Sequence, residues 1–141
     1  PIVSHEFLGD NVEGKDVIVV EDIIASGESA LDIFYQLTEK KAKRIFMCCS
    51  FGLFCNGLEA FDKAYEQGAV TAVLTTNLVY RSPELLKRDW FKEVDMSKYM
   101  SFIIDTLHHD SSMSDLLNPV DRIDKLLEKV KQRQIEEGLI K

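Results

Sequence analysis

The chain is predicted to fold as an α/β protein, three layers deep, with a mostly parallel central sheet and helices on both faces. Apolar runs rich in β-branched residues alternate with amphipathic helical patterns, the order expected of βαβ units. Val17 to Val20 are consecutive β-branched apolar residues, which suits a parallel strand covered on both faces. Glycine, asparagine and proline punctuate the runs where turns are needed.

Taken in order, residues 2–8 alternate like a strand that needs a partner. The chain opens on Pro1 without an initiating methionine, so it reads as a fragment of something longer. A turn over Gly9–Gly14 leads to a strand at Asp16–Val20. A helix follows from about Glu28 to Lys41, with Ala30, Ile33, Phe34, Leu37 and Lys41 on one face. The next strand, Arg44–Ser50, ends in a loop containing Phe51, Gly52, Asn56 and Gly57. A helix over Leu58–Gln67 turns Leu58, Phe61 and Tyr65 inward and stops at Gly68. A strand at Val70–Thr75 closes at Thr76 and Asn77.

Pro83 starts a short helical turn through Arg88, and Phe91–Val94 is a short strand. Ser97 caps a helix to about Leu107. Asn118 caps a final helix with Pro119 at its first position, the favoured place for proline. That helix carries Val120, Ile123, Leu127 and Val130 on one stripe and frays after Gln132. The division expected is one domain over residues 1–118 and a helical extension over 119–141.

Bulk properties exclude several classes. The 141 residues are 45% hydrophobic and 29% charged, ordinary for a globular domain with a real core. A formal charge of −7 argues against a general nucleic-acid surface. No apolar run approaches the ~20 residues that a membrane span requires, and the N-terminus has no signal-peptide pattern. Cys48, Cys49 and Cys55 lack any framework spacing, which points to reduced thiols in a cytoplasm. The adjacent Cys48 and Cys49 should face opposite sides of their strand. No cysteine or histidine spacing suits zinc. His108 and His109 fall near a helix end, where capping or solvent exposure is the expected role.

The chemistry concentrates in Val17–Ser29. Glu21 and Asp22 fall where the strand is expected to end, and ligands of open α/β sheets bind at the carboxyl ends of strands. Ala25, Ser26, Gly27, Glu28 and Ser29 then form a small-residue turn opening into a helix, whose unpaired N–H groups and dipole favour an anion. Carboxylates beside such a cradle suggest a phosphorylated sugar. The plainer reading is that the acids end a strand and Ser26 caps a helix.

Strand, acid pair and hydroxyl-rich turn in this order resemble the phosphoribosyl-diphosphate (PRPP) loop of the type I phosphoribosyltransferase family. Further segments are similar to the C-terminal domain of the ribose-phosphate pyrophosphokinase (PRPP synthetase) family. They are Gly9–Asp16, the loop itself, Ser50–Gly57, Thr76-Asn77, and Val94-Asp95-Met96-Ser97. The likeness covers roughly residues 7 to 118. It implies a phosphoribosyltransferase-like fold and the transfer of a diphosphate from ATP to the C1 hydroxyl of ribose 5-phosphate, with Mg²⁺, in a cytoplasmic enzyme of nucleotide biosynthesis. On that resemblance Ser26, Gly27 and Ser29 hold the 5-phosphate. Glu21 and Asp22 take the ribose hydroxyls directly or through Mg²⁺, with Asp22 the metal ligand, and Thr76 and Asn77 line the crevice.

The loop departs from the family pattern at Ala25, where Asp or Thr is usual, and at Glu28, where Gly or Lys is usual. Phe51 replaces the histidine of the Thr-His-Gly segment. The family also implies an absent N-terminal domain with a basic mobile loop, and a homo-oligomer. Lys40, Lys41, Lys43 and Arg44 fall at a helix end away from the site and do not replace that loop. The chain alone is therefore expected to bind ribose 5-phosphate without catalysing the transfer. The alternatives are a phosphoribosyltransferase of nucleotide salvage, a non-catalytic synthetase-associated regulatory homologue, and a flavodoxin-like binding domain. The last would leave the acid pair unexplained.

Overall fold

The computed structural model describes Gly9 and residues 11–139; the strand expected over residues 2–8 lies outside them. The chain divides into two compact units, one ending at Met96 and the other beginning at Ser97. The first contains β1 (Asp16–Ile24), α1 (Glu28–Glu39), β2 (Arg44–Gly52), α2 (Glu59–Glu66), β3 (Ala72–Thr76), α3 (Pro83–Leu86) and β4 (Phe91–Val94). The second contains α4 (Ser97–His108), α5 (Ser114–Leu117) and α6 (Val120–Glu136).

The four described strands run parallel in the order β1-β2-β3-β4, so the α/β class with a parallel sheet is the one expected. A monotonic order has a consequence. Right-handed crossovers that always step the same way lay their helices on the same face of the sheet. The core lies on that face: Ala30, Phe34 and Leu37 of α1 and Phe61 and Ala64 of α2 pack with Ile45, Met47, Cys49 and Val73 of the sheet. Val17 and Val19 face this core, whereas Ile18 and Val20 are 67% and 78% exposed. The run Val17–Val20 is thus covered on one side within the first unit, not on both. Cys48 and Cys49 divide as expected, Cys49 buried and Cys48 half-buried, and the three cysteines are unpaired thiols.

Both strands that frame the candidate loop extend further than their apolar runs suggest. Ile23 and Ile24 pair with Phe51 and Gly52, so Glu21 and Asp22 lie inside β1 and the loop begins at Ala25. In α2, Ala64 takes the buried position expected of Tyr65, which is exposed. Gly68 ends that helix with φ 72°, its N–H donating to Tyr65 O at 2.9 Å, while Ala69 N–H reaches Ala64 O. At the amino ends of the strands Arg44 pairs with Asp16, which holds the Asp16 carboxyl below its usual range, and Lys41 pairs with Glu13.

An aromatic group centred on Phe54 closes the core. Its ring stands 5.1 Å from Phe61, 5.8 Å from Trp90 and 6.4 Å from Phe91. Asp62 adds a polar tie, accepting from Trp90 Nε1 at 2.7 Å and from Arg88 Nε at 2.9 Å. Phe54 also holds φ 49°, a left-handed conformation that costs a residue with a Cβ roughly 1–2 kcal/mol. Its packing supplies what that backbone costs. Phe54→Ala should lower stability by about 3–5 kcal/mol in urea titration. Phe54→Gly should be no worse despite losing the same ring, because glycine relieves the backbone.

Candidate functional site

The candidate loop is built from three sides. β1 delivers Glu21 to Ile24 at the carboxyl end of the sheet, and Gly27 turns the chain into α1 with φ 92°. A side chain at Gly27 would be strained twice. Its φ is left-handed, and a Cβ there would lie 2.5 Å from a ring carbon of Phe61. The third side is Leu53–Cys55. Leu53 N–H donates to Ile24 O at 2.8 Å and Cys55 N–H to Ala25 O at 2.9 Å. The segment singled out as Ser50–Gly57 is therefore the backrest of the loop. Its own Gly52 is as closely packed, since a Cβ would meet the Phe54 ring at 2.7 Å and Thr75 Cγ2 at 2.8 Å.

A pocket of about 130 Å³ lies in this loop, lined by Glu21, Ala25, Ser26, Gly27 and Ser29 among others. Its size suits a group like phosphate rather than a whole nucleotide. The N-cap residue of α1 is Gly27, which has no side chain to cap the helix, and Glu28 N–H donates a long hydrogen bond to Ser26 Oγ at 3.4 Å. A helix amino end of this kind favours an anion through its dipole and its first-turn N–H groups. Among the described residues no lysine or arginine lines the pocket, and Glu21 brings a negative charge to it.

The remaining candidate residues fall in different places. Asp22 is exposed and outside the pocket lining, its Oδ1 accepting from Ile23 N–H at 2.7 Å. Glu28 is exposed at the first position of α1 and also outside the lining. Thr76 lines a second depression, about 240 Å³, on the exposed face of the sheet with Val20, Cys48 and Leu74; Glu21 borders that one too. Asn77 lines neither. Its amide donates to Asp95 Oδ1 at 2.7 Å and accepts from Met96 N–H at 2.9 Å, tying the end of β3 to the end of β4. Arg81 extends the tie, donating to Asn77 O at 2.7 Å and pairing with Glu93 at 2.6 Å. The family-like Thr-Asn and Val-Asp segments thus meet in one clamp.

Sequence reasoning missed Cys49. Its thiol lies under the acid pair, donating to Phe51 O at 3.2 Å and reaching Asp22 O at 3.4 Å. Burial pushes its pKa up, and the charges of Asp22 and Glu21 push the same way. The register Glu21↔Cys49 is the signal that locates it, and only strand pairing reveals that register. No group of three or more histidine, cysteine, aspartate or glutamate side chains is placed to hold a metal ion among the described residues. No described helix is long and apolar enough to cross a membrane.

The architecture is that of the PRPP synthetases. A solved synthetase from Mycobacterium smegmatis superposes with TM-score 0.63 over 73% of this chain and 33% of its own, at 18% identity. The chain belongs to the phosphoribosyl synthetase-associated domain family, whose profile matches residues 5–118. Among curated proteins it is 31% identical over 113 residues to human phosphoribosyl pyrophosphate synthase-associated protein 2, covering 80% of this chain and 30% of that one. It is 26% identical over 109 residues to a ribose-phosphate pyrophosphokinase of Mycoplasmopsis pulmonis, covering 77% and 33% respectively. The chain therefore spans about a third of the length of these relatives.

Two measurements check the site geometry. Gly27→Ala should destabilise the chain by about 1–3 kcal/mol, and trimming the ring with Phe61→Leu should make the two changes less than additive in a double-mutant cycle. Iodoacetamide at pH 8 should label the exposed Cys55 first and leave Cys49 unmodified in the folded chain, as read by peptide mass spectrometry.

Proposed function

We propose that this chain is the sugar-phosphate-binding part of a ribose-phosphate diphosphokinase. The observation that carries the reading is the phosphate-sized pocket at the amino end of α1, with Glu21 on its wall and Asp22 beside it. In this reading the loop amides with Ser26, Gly27 and Ser29 receive the 5-phosphate of ribose 5-phosphate. Glu21 and Asp22 face its hydroxyls, and Ala25 lets the sugar approach the loop closely.

Diphosphate transfer from ATP needs positioning and charge neutralisation more than covalent chemistry. The Asp22 carboxylate is a hard donor of the kind Mg²⁺ prefers, and an ion held there would take its remaining ligands from substrate and water. Bound there, Mg²⁺ would neutralise phosphate charge. Since no basic side chain lines the pocket among the described residues, the cationic groups that steady ATP come in this reading from elsewhere in the full protein, including its other domain and further copies in a homo-oligomer. This chain alone then forms no PRPP from ATP and ribose 5-phosphate.

Glu28 favours a second reading, a non-catalytic associated subunit. Its carboxylate sits in the first turn of α1, where it stabilises the helix dipole and competes for the same field as an incoming phosphate. The two readings part in calorimetric titration with ribose 5-phosphate and Mg²⁺. Binding by the wild-type chain, lost in Asp22→Asn and strengthened roughly tenfold in Glu28→Lys, supports the substrate site. Binding that emerges only in Glu28→Lys, or no binding by any variant of the folded chain, overturns the substrate site and supports the associated subunit.

A further inference from the structure

The second unit carries an interaction surface that the synthetase reading does not use. No residue of α4 or α6 is buried, yet α6 is strongly amphipathic. Val120, Ile123, Leu127 and Val130 recur at alternating spacings of three and four, which are the a and d positions of a heptad. Each is 44–59% exposed. The opposite face mixes Asp121, Lys125, Glu128 and Lys129, unlike the basic face of a helix that lies on a membrane. The stripe is therefore suited to a protein.

The flanks of the stripe identify which protein. Asp124 and Lys131 occupy the same heptad position, e, seven residues apart. When two such helices run antiparallel, each e flank meets the e flank of its mate from the other end. Asp124 then faces Lys131 of the second copy, and Lys131 faces Asp124, with the Leu127 and Val130 layers between them. A parallel pair would bring position g against e, which sets Leu126 opposite Lys131 and forms no ion pair. Antiparallel packing also opposes the two helix dipoles. We propose that α6 is a self-complementary interface that pairs antiparallel with α6 of a second copy of this chain.

A helix of 17 residues is about 25 Å long. A contact along one helix of this length is small beside the roughly 1,600 Å² of a standard specific interface, so the association should be concentration-dependent. Sedimentation velocity on the full chain tests the proposal, with circular dichroism to establish that every variant is folded. Asp124→Lys and Lys131→Glu should each weaken dimerisation roughly tenfold, because each sets like charges together at both ends of the pair. An equimolar mixture of the two variants should associate as the wild type does, since each then supplies the charge that the other lacks. Leu127→Glu should remain monomeric in every mixture. A wild-type chain that stays monomeric at all concentrations would overturn the proposal. So would single variants with unchanged association, or a mixture no better than its components.

Discussion

The contact between the Phe61 ring and the backbone of Gly27 governs the first unit. A left-handed glycine lets the chain leave β1 and enter α1 within a few residues, and the ring fills the space that any side chain would need. Phe61 is itself fixed by Phe34 and Phe54, whose rings meet it edge-on, and by Trp90, which stacks on it. The shape of an exposed, polar loop is therefore set from beneath by a buried apolar cluster. Close packing of that kind transmits small displacements, so a change of volume in the core is felt at the pocket.

Much of what distinguishes the family-like segments is mechanical. Leu53 and Cys55 hold the loop through its own carbonyls, and Asn77 with Asp95 and Arg81 locks the ends of β3 and β4. Backbone donors of this sort are indifferent to side-chain identity. Phe51 can stand where the family carries histidine without disturbing them, since the bonds to Ile24 and Ala25 come from main-chain N–H groups. Cys49, neutral and buried, places an S–H donor rather than another charge under Glu21 and Asp22.

The parallel sheet and most helices were legible because periodicity reports burial, and burial dominates in an α/β core. Ala30, Phe34 and Leu37 are core residues as their spacing suggested. The misreadings have local causes. The apolar runs of β1 and β2 end at polar residues, whereas mutual pairing carries the strands on through Ile24 and Gly52. Tyr65 follows Phe61 by four residues and Ala64 follows it by three, and the phase of α2 buries Ala64 and leaves Tyr65 exposed. The short helix Ser114–Leu117 has too few residues for a period to show. At the site, the order of strand, acids and turn was readable. The outward turn of Asp22, the placement of Glu28 outside the pocket and the role of Cys49 depend on strand register and helix phase, which no short stretch of sequence encodes.

The winding of the sheet carries one more implication. Each described strand is added on the same side of the last, so among the described strands the direction of winding does not reverse and β1 is outermost. Binding crevices in open α/β sheets form where the winding reverses, because the loops of the two flanking strands then splay to opposite faces. A further strand along the edge of β1 away from β2, with its crossover on the Ile18 and Val20 face, would create that reversal beside the Ala25–Ser29 turn. The loop would then form one lip of a cleft, and the apolar side chains now facing solvent would become the floor of a second helical layer.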